Sequence, residues 1–398
     1  MLALRSQKGS RTYRLAWVLF TLFVSLIVTT TLAAQESDAY SSADYAFGQV
    51  INFRLKLENP ANVAQVTLFF QAPELENTYV ATIESVANEL TYPVDLNRVR
   101  LAPFTTVTYW WQLETKAGAV ELLPAQTFVY VDDQFEWQTL TQHDVKVSWT
   151  GADASLGQLA QDIVAETRPL LEALIPKAPN SGFDLYIYPS SADLRAALRI
   201  TGRDWVGAHA HPELGVLLVT AVNNRTAASD LRQSIPHEMV HLYLYQVLGV
   251  NYDNLPVWFN EGLASLVEPN PNPNYALVLE TAVANHSTIP FAHLCERFPQ
   301  AEDQAVLAYA QSLSLLEFVQ DRYGNSGIQQ LIAAYANGGD CDSGVEQALG
   351  ISMVKLEQAW IQSQQVRSPV TQFFLENGVW LIMLVGGFVI MGLVILKR

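Results

Sequence analysis

The feature that most constrains the fold is a change of hydrophobic period near residue 149. From about residue 46 to 148, apolar and polar side chains alternate with a period of two, as in INFRLKL at 51–57. Turn-prone segments such as ENPAN and TKAG separate the alternating runs. Alternation is typical of half-buried strands, and several short strands in succession are typical of a β-sandwich. We therefore expect residues 40–148 to form a β-sandwich.

After residue 149 the pattern changes to helices mixed with a few strands. The first elements predicted are a helix at 156–176, a strand at 183–190, a short helix at 194–200 and a strand at 215–222. Most of the remainder is predicted to be helical, at 230–249, 256–268, 274–285, 303–323, 326–337 and 352–364. A small sheet followed by a helical half makes residues 150–365 a second domain, so the fold class is α+β.

Part of the alternating region resembles a known kind of module. The stretch TTVTYWWQLETKAG, followed by FVYVDDQFEW, resembles the central strands of immunoglobulin-like and fibronectin type III domains. No residue of this region suggests chemistry, so the resemblance implies a structural or spacer role.

The segment LAWVLFTLFVSLIVTTTLAA at 15–34 is the first of two long apolar segments. It follows basic residues and ends in small ones, which predicts that residues 1–34 are a secretory signal peptide. An uncleaved signal anchor is the alternative, because the apolar run is long for a signal.

The second apolar segment, at 379–396, carries no charge and is followed by Lys397 and Arg398. It predicts a transmembrane helix after a juxtamembrane linker at 366–378, with a buried core helix as the alternative. Both ends follow the positive-inside rule if residues 35–378 are extracytoplasmic. We therefore expect a single-pass protein of the cell membrane.

The charge balance excludes nucleic acid as a partner. The whole chain has a formal net charge of −16. Six of its 23 basic residues lie in the two terminal segments, so the part between them is more acidic still. Such a surface repels polyanions and anionic lipid headgroups.

Cys295 and Cys341 are the two cysteines of the chain. Outside the cytoplasm they can form a disulfide, but their spacing does not establish that they meet. No Cys/His pair at zinc-finger spacing accompanies them, so a metal site built on them is not expected.

The stretch SIPHEMVHLYLYQVLG at 234–249 contains the pattern His-Glu-x-x-His. On a helix, His237 and His241 project from the same face one turn apart, which lets both imidazoles reach one metal ion. Glu238, next to the first histidine, has the chemistry of a general base. The alternative is an amphipathic helix with two incidental histidines. Because of Pro236, we expect a helix start or kink just before His237.

A second helix decides between these interpretations. In NLPVWFNEGLASLVE at 254–268, Asn254 is a predicted cap and Pro256 lies near the first turn. This helix carries Glu261, and two histidines with one glutamate make the ligand set of a catalytic zinc.

The pattern His-Glu-x-x-His followed by PVWFNEGLA resembles the gluzincin metallopeptidases, specifically the bacterial peptidase MA-like proteins. The resemblance covers roughly 150–365 and includes YAQSLSLLEFVQDRYG at 309–324. It implies a gluzincin-type metallopeptidase domain in which His237, His241 and Glu261 are the Zn²⁺ ligands.

The resemblance also bears on further residues. Tyr309 is a candidate catalytic residue that donates a hydrogen bond to an oxyanion, with a structural tyrosine as the alternative. Some gluzincin subfamilies have an aspartate four residues after the third ligand. This chain has Ser265 there, so a backbone carbonyl or Glu268 would have to orient a histidine. His209 and His211 are interpreted as exposed polar loop residues, with substrate contact as the alternative.

We expect a membrane-anchored, extracytoplasmic zinc metallopeptidase that hydrolyses peptide bonds in peptide or protein substrates, with Glu238 as general base. The resemblance implies that WVGAHAHPELGVLLV at 205–219 forms the edge strand that runs beside the substrate backbone. The substrate would add as an extended strand along the strand at 215–222. The alternatives are a cell-surface binding or adhesion protein with a vestigial or minor metal site, and a non-enzymatic domain whose histidines are ordinary surface residues.

Overall fold

The computed structural model describes residues 39–84, 86–176, 182–199, 207–221 and 226–366, together with 377, 378 and 383. Within this part of the chain, no helix is both long enough and apolar enough to cross a membrane. The predicted segments at 1–34 and 379–396 lie outside the described residues, apart from Met383.

Two antiparallel sheets form the N-terminal part of the molecule. The first contains β1 (Ala39–Ala46), β2 (Val50–Leu57) and β5 (Glu89–Asp95), in the order β1-β2-β5. The second contains β3 (Val63–Gln71), β4 (Tyr79–Ile83), β6 (Thr106–Thr115) and β7 (Val120–Leu122), in the order β4-β3-β6-β7. Its remaining strand, β8 (Gln126–Val129), also pairs with β6.

The two sheets share one apolar core, which we call the sandwich core. The ring of Phe53 on β2 lies 5.2 Å from that of Phe70 on β3 and 5.0 Å from that of Tyr109 on β6. The inward residues of the period-two pattern, such as Ile51 and Trp111, are completely buried. The predicted alternation is therefore confirmed. The immunoglobulin or fibronectin type III character of the sandwich stays a prediction.

A third sheet lies between the sandwich and the helices. It contains β9 (Trp137–Gln142), β10 (Val145–Thr150), β11 (Phe183–Tyr188), β12 (Ala208–His211) and β13 (Val216–Thr220), in the order β12-β13-β11-β10-β9. The strands β10, β11 and β13 run parallel. Since β9 and β10 belong to this sheet, the predicted boundary at residues 148–150 falls inside it. Alternation of apolar and polar residues indicates that a strand is half buried, but it does not indicate which sheet the strand joins.

The strand at 215–222, predicted to be the rim of the substrate cleft, is an inner strand of this sheet. It corresponds to β13, whose backbone pairs with β11 on one side and β12 on the other. A strand paired on both sides cannot accept a further strand, so that prediction is wrong. The strand at this edge of the sheet is β12, at residues 208–211.

Helices make up most of the remainder. They are α1 (Ser155–Leu174), α2 (Ser191–Leu198), α3 (Ala227–Leu248), α4 (Val257–Leu266), α5 (Asn274–Ala284), α6 (Phe291–Leu294), α7 (Glu302–Ala336), α8 (Cys341–Leu349) and α9 (Met353–Val366). Gly324, with φ of 69°, interrupts α7 and so separates the helices predicted at 303–323 and 326–337. This arrangement confirms the mixed α+β class.

Helix α3 is the central element of the helical half. Its buried side chains, among them Leu231, Met239 and Leu244, point in several directions, because the third sheet and other helices surround it. The helix begins at Ala227 and passes through Pro236 as one element, so the predicted helix start just before His237 is wrong. The alternative of a kink there stays a prediction. Proline here costs one intrahelical hydrogen bond, and burial on several sides of the helix offsets that cost.

Cys295 and Cys341 form a disulfide, with their Cα atoms 6.0 Å apart. The bond joins the end of α6 to the first residue of α8. Closing a loop of 46 residues reduces the entropy of the unfolded chain, which stabilises the fold by about 4 kcal/mol.

Candidate metal centre

The two histidines of α3 meet the glutamate of α4 at one point. The Glu261 Oε2 atom lies 3.5 Å from His237 Nε2 and 4.0 Å from His241 Nε2. One ligand atom from each of the three residues lies within 4.8 Å of the others. The three predicted ligands are therefore brought together, and we call them the metal cluster.

The separations in the metal cluster fit a zinc ion. Zinc binds nitrogen and carboxylate oxygen at about 2.0–2.1 Å, so the corners of a tetrahedral site lie about 3.3 Å apart. The measured distances of 3.5 and 4.0 Å are close to that value. Three protein donors leave one corner of a tetrahedron open, which is the arrangement of a catalytic rather than a structural zinc site.

Hydrogen bonds orient both histidines towards the cluster. His237 Nδ1 lies 2.7 Å from Glu268 Oε1, and His241 Nδ1 lies 2.9 Å from Asn260 Oδ1. Carboxylate and amide oxygens only accept, so each Nδ1 carries a hydrogen and Nε2 is the nitrogen of each ring that can bind a metal.

The partners of the histidines are themselves held in place. Gln233, one turn before His237 on α3, donates from Nε2 to Glu268 Oε2 at 3.1 Å. Asn260 Nδ2 donates to the Tyr252 hydroxyl at 3.3 Å, which fixes which end of the amide faces His241. Each histidine is thus supported by a chain of two further side chains.

Helix α4 is fixed at its start and along its side. It begins after Pro256 rather than at the predicted cap Asn254, which ends the preceding 3-10 helix. The free Val257 N–H donates to the Cys295 carbonyl at 3.0 Å, so the disulfide-bonded residue holds this end of the helix. A Cβ on Gly262 would lie 2.7 Å from the Ser312 carbonyl oxygen. Glycine therefore lets α4, and with it Glu261, lie directly against α7.

Electrostatics in the cluster arise from burial and from the neighbouring charges. Burial by itself lowers the pKa of the His237 imidazole, but hydrogen bonds to Glu261 and Glu268 outweigh it and hold the pKa well above its ordinary value. Burial raises the pKa of the Glu261 carboxyl, whereas His241 and His237 bring it below its ordinary value overall. Without metal, the site therefore favours a positive charge on His237 and a negative charge on Glu261.

Glu238 lies beside the cluster and is only 5% exposed. It lines a cleft of about 410 Å³ together with His237. Burial raises the pKa of its carboxyl above the ordinary glutamate value, although the nearby His237 and His241 partly oppose this. A carboxyl with a raised pKa, located in a cleft, has the chemistry of a general base that later returns its proton.

Tyr309, on α7, lines the same cleft. The charge of the neighbouring Glu261 carboxylate, followed by burial, raises the pKa of the hydroxyl well above its ordinary value. The hydroxyl therefore remains a hydrogen-bond donor across the pH range in which the protein would work.

The interpretation of His209 and His211 as exposed loop residues is wrong. Both lie on strand β12 and are partly buried, with their rings 4.7 Å apart. His211 Nδ1 lies 3.2 Å from Glu213 Oε1. Burial, together with the nearby His211 and His241, lowers the pKa of His209 to about 4. His209 is thus a neutral side chain close to the metal cluster, which favours the alternative of substrate contact.

Three residues that support the site were not predicted from the sequence. Asn260 directly precedes Glu261 and gave a local signal, because an amide next to a ligand on the same helix can reach a histidine. Gln233 and Tyr252 gave no such signal. The contact expected of Glu268 is present.

Comparison with protein families agrees with this geometry. The model of the Peptidase MA superfamily matches residues 165–366, about half of the chain. The protein therefore belongs to the peptidase MA superfamily, as the sequence resemblance implied. The protein YhcO of Bacillus subtilis (strain 168), described as uncharacterized, is 23% identical over 240 residues, which cover 56% of this chain and 72% of that protein.

Solved structures with partial similarity include zinc metallopeptidases. The M1 zinc metallopeptidase from Deinococcus radiodurans is 12% identical, covering 80% of this chain and 88% of that chain with a TM-score of 0.34. An aminopeptidase N family protein from Idiomarina loihiensis is 10% identical, covering 81% and 75% with a TM-score of 0.39. The family membership of the protein rests on the match at residues 165–366.

Proposed function

We propose that the protein is a zinc-dependent peptidase whose metal is held by His237, His241 and Glu261. The observation that carries the proposal is the convergence of these three side chains beside the buried Glu238, in a cleft open to a substrate. Membership of the peptidase MA superfamily supports the same function.

The roles of the residues correspond to their positions. Bound zinc would supply Lewis-acid chemistry, which activates water and polarises a carbonyl. A Glu238 carboxylate oxygen accepts the proton of the attacking water and then delivers it to the nitrogen of the departing amine. The Tyr309 hydroxyl donates a hydrogen bond to the oxygen on which negative charge develops. Glu268 and Asn260 keep the two imidazoles in the orientation that binding requires.

The peptide would bind along β12 rather than β13. Within the described sheet, β12 pairs on one side with β13 and has its other side free. Gly207 and Ala208, at the start of this strand, line the cleft that contains His237 and Glu238. An extended peptide paired with this edge would therefore pass beside the metal cluster.

We also propose that the protein is anchored in the cell membrane by residues 379–396, with its body on the extracytoplasmic side. The uncharged apolar segment followed by Lys397 and Arg398 supports this orientation. The disulfide between Cys295 and Cys341 adds support, since disulfides persist in oxidising compartments.

The metal and the reaction are tested separately. We expect purified full-length protein to contain one zinc ion per chain, and His237→Ala to lose it. In a mixed peptide library, wild type should cleave and Glu238→Gln should not, although the variant keeps its zinc. Glu346→Gln, the same chemical change at an exposed helical position, is the control.

Two results would contradict the proposal. Wild-type protein without zinc, unchanged by His237→Ala, would remove the metal site. Zinc-loaded wild type that is as inert as Glu238→Gln on all peptides would leave a binding protein as the better interpretation.

The membrane proposal is tested by fractionation and protease accessibility. Full-length protein should sediment with membranes and be digested by protease added outside the cytoplasmic membrane. Deletion of residues 379–398 should release it into the soluble fraction. Protection from external protease would contradict the proposed orientation.

A further inference from the structure

A second cavity, of about 670 Å³, lies among α5, α7 and α9, outside the metal cluster. Four of its lining residues, Tyr275, Ala276, Leu279 and Val283, share one face of α5: Tyr275, Leu279 and Val283 are successively one turn apart, and Ala276 is one turn before Leu279. Pockets of roughly 300–1,000 Å³ lined mainly by apolar side chains are typical ligand sites. We call this space the apolar cavity.

The apolar cavity adjoins the cleft at the metal cluster. Asn272 and Tyr275 line both spaces. On α7, Tyr309 faces the cleft while the next residue, Ala310, faces the apolar cavity. The two spaces are therefore neighbours, and a molecule bound at the metal cluster would have to extend past Tyr275 to enter the apolar cavity.

The two spaces differ in chemistry. The cleft is lined by carboxylates, including Glu238 and Glu268. Alanine, leucine, valine and proline supply eight of the fifteen residues that line the apolar cavity, and the two carboxylates there, Glu280 and Glu317, belong to exposed residues. An apolar group gains free energy when it leaves water for such a surface, and a charged group loses it. The cavity is large enough for a drug-sized group, and so for more than one amino-acid side chain.

We propose that the apolar cavity is a substrate subsite, which binds large apolar side chains of the peptide that is cleaved at the metal cluster. This inference rests on the proposed peptidase function and names a substrate class for it. The protein prefers peptides with neighbouring apolar residues a short distance from the scissile bond. Tyr275 forms the wall between the reacting and the recognised part of the substrate.

Neighbouring positions on α5 provide a matched test. Ala276 is exposed and lines the apolar cavity. Leu277 is 66% exposed and faces a different groove, shared with the start of α7. Ala276→Glu places a charge in the apolar cavity, and Leu277→Glu places the same charge in the other groove.

The zinc-loaded protein is given two peptides from the library, and their cleavage is measured. One peptide has apolar residues at the preferred positions, and the other has serine there. For wild type we expect kcat/KM to be at least tenfold higher for the apolar peptide. Ala276→Glu should remove this preference while keeping cleavage of the serine peptide. Leu277→Glu should behave as wild type.

Each contrary outcome has its own meaning. If wild type cleaves both peptides equally, or if the two variants behave alike, the apolar subsite is wrong and the peptidase function stands. If zinc-loaded wild type cleaves neither peptide nor any library member, the proposed function fails. If Ala276→Glu loses all cleavage, the affinity for the apolar peptide is measured instead, in Glu238→Gln protein with and without Ala276→Glu. Equal affinity with and without Ala276→Glu overturns the subsite.

Discussion

The sandwich core and the metal centre bury different chemistry. Between the N-terminal sheets, rings such as Phe53, Phe70 and Trp111 pack against one another. At the metal centre, Glu238, His241 and Glu268 are buried almost as deeply. Burial of apolar rings stabilises a fold, whereas burial of carboxylates costs free energy unless partners compensate. The comparison indicates that the buried charged groups serve the chemistry of the site, whereas the buried rings stabilise the fold.

The largest effect that would sharpen this comparison concerns Glu238. Replacing Glu238 with glutamine removes a buried charge of nearly the same shape, so the metal-free protein should unfold at an equal or higher urea concentration. The cleavage rate should fall about 10²- to 10⁴-fold, since the general base is lost. Urea titration and kcat measurements on the same samples check both. A less stable variant would show that Glu238 also supports the fold.

A substitution in the sandwich core should have the opposite effect: it should lower stability and leave activity unchanged. Phe70 is completely buried, and its neighbour Phe69 lies on the outer face of the same strand against Trp110. Phe70→Ala should lower the free energy of unfolding by about 3–5 kcal/mol, because a large cavity remains. The activity per folded molecule should not change. Phe69→Ala is the matched control, and an equal loss of stability in both variants would contradict the assignment of faces.

A smaller effect is expected at Glu268. Glu268→Gln keeps a hydrogen bond to His237 but removes the negative charge that favours a metal-binding imidazole. Zinc affinity should fall about 10- to 100-fold, as for other residues that orient metal ligands. Competition with a chelator measures this, and Glu268→Ala should lose more. Unchanged affinity in both variants would show that His237 does not need this partner.

The smallest effect concerns a buried carboxylate of the sandwich region. Asp132 is 1% exposed, and its Oδ2 accepts from the Tyr188 hydroxyl at 3.1 Å. Burial raises the pKa of Asp132, although hydrogen bonds to Gln134 and Tyr188 partly oppose this. Above the ordinary aspartate pKa of about 3.9, the native state therefore holds this proton longer than the unfolded state does.

This group therefore makes stability fall as pH rises from about 3.9 to the raised native pKa. Asp132→Asn should flatten the stability profile in that interval, with little change at pH 7, because relief of a buried charge offsets one weakened hydrogen bond. Urea midpoints between pH 4 and 7 check the slope. A slope that persists in the variant would contradict this origin.

The metal ligands could be predicted because their signals are local. His237 and His241 are one turn apart on a helix whatever surrounds it, and Glu261 lies on a helix that begins directly after a proline. The sequence placed the edge strand within 205–219 but did not show which part of that stretch has a free side. The strand at 215–222 and β12 are both short extended segments, and only their pairing shows which of them has a free side. His209 changes from a surface residue to a neighbour of the metal cluster for the same reason.

The sequence by itself determined the class of the fold, the three candidate ligands and the candidate general base, because periodicity and helical spacing are properties of neighbouring residues. Tertiary structure decided the Asn260 contact, the partner of Cys295, the edge strand and the cavity beside the cleft. These features depend on contacts between segments distant in the chain. No local pattern records such contacts, since they are set by how the helices pack on the third sheet.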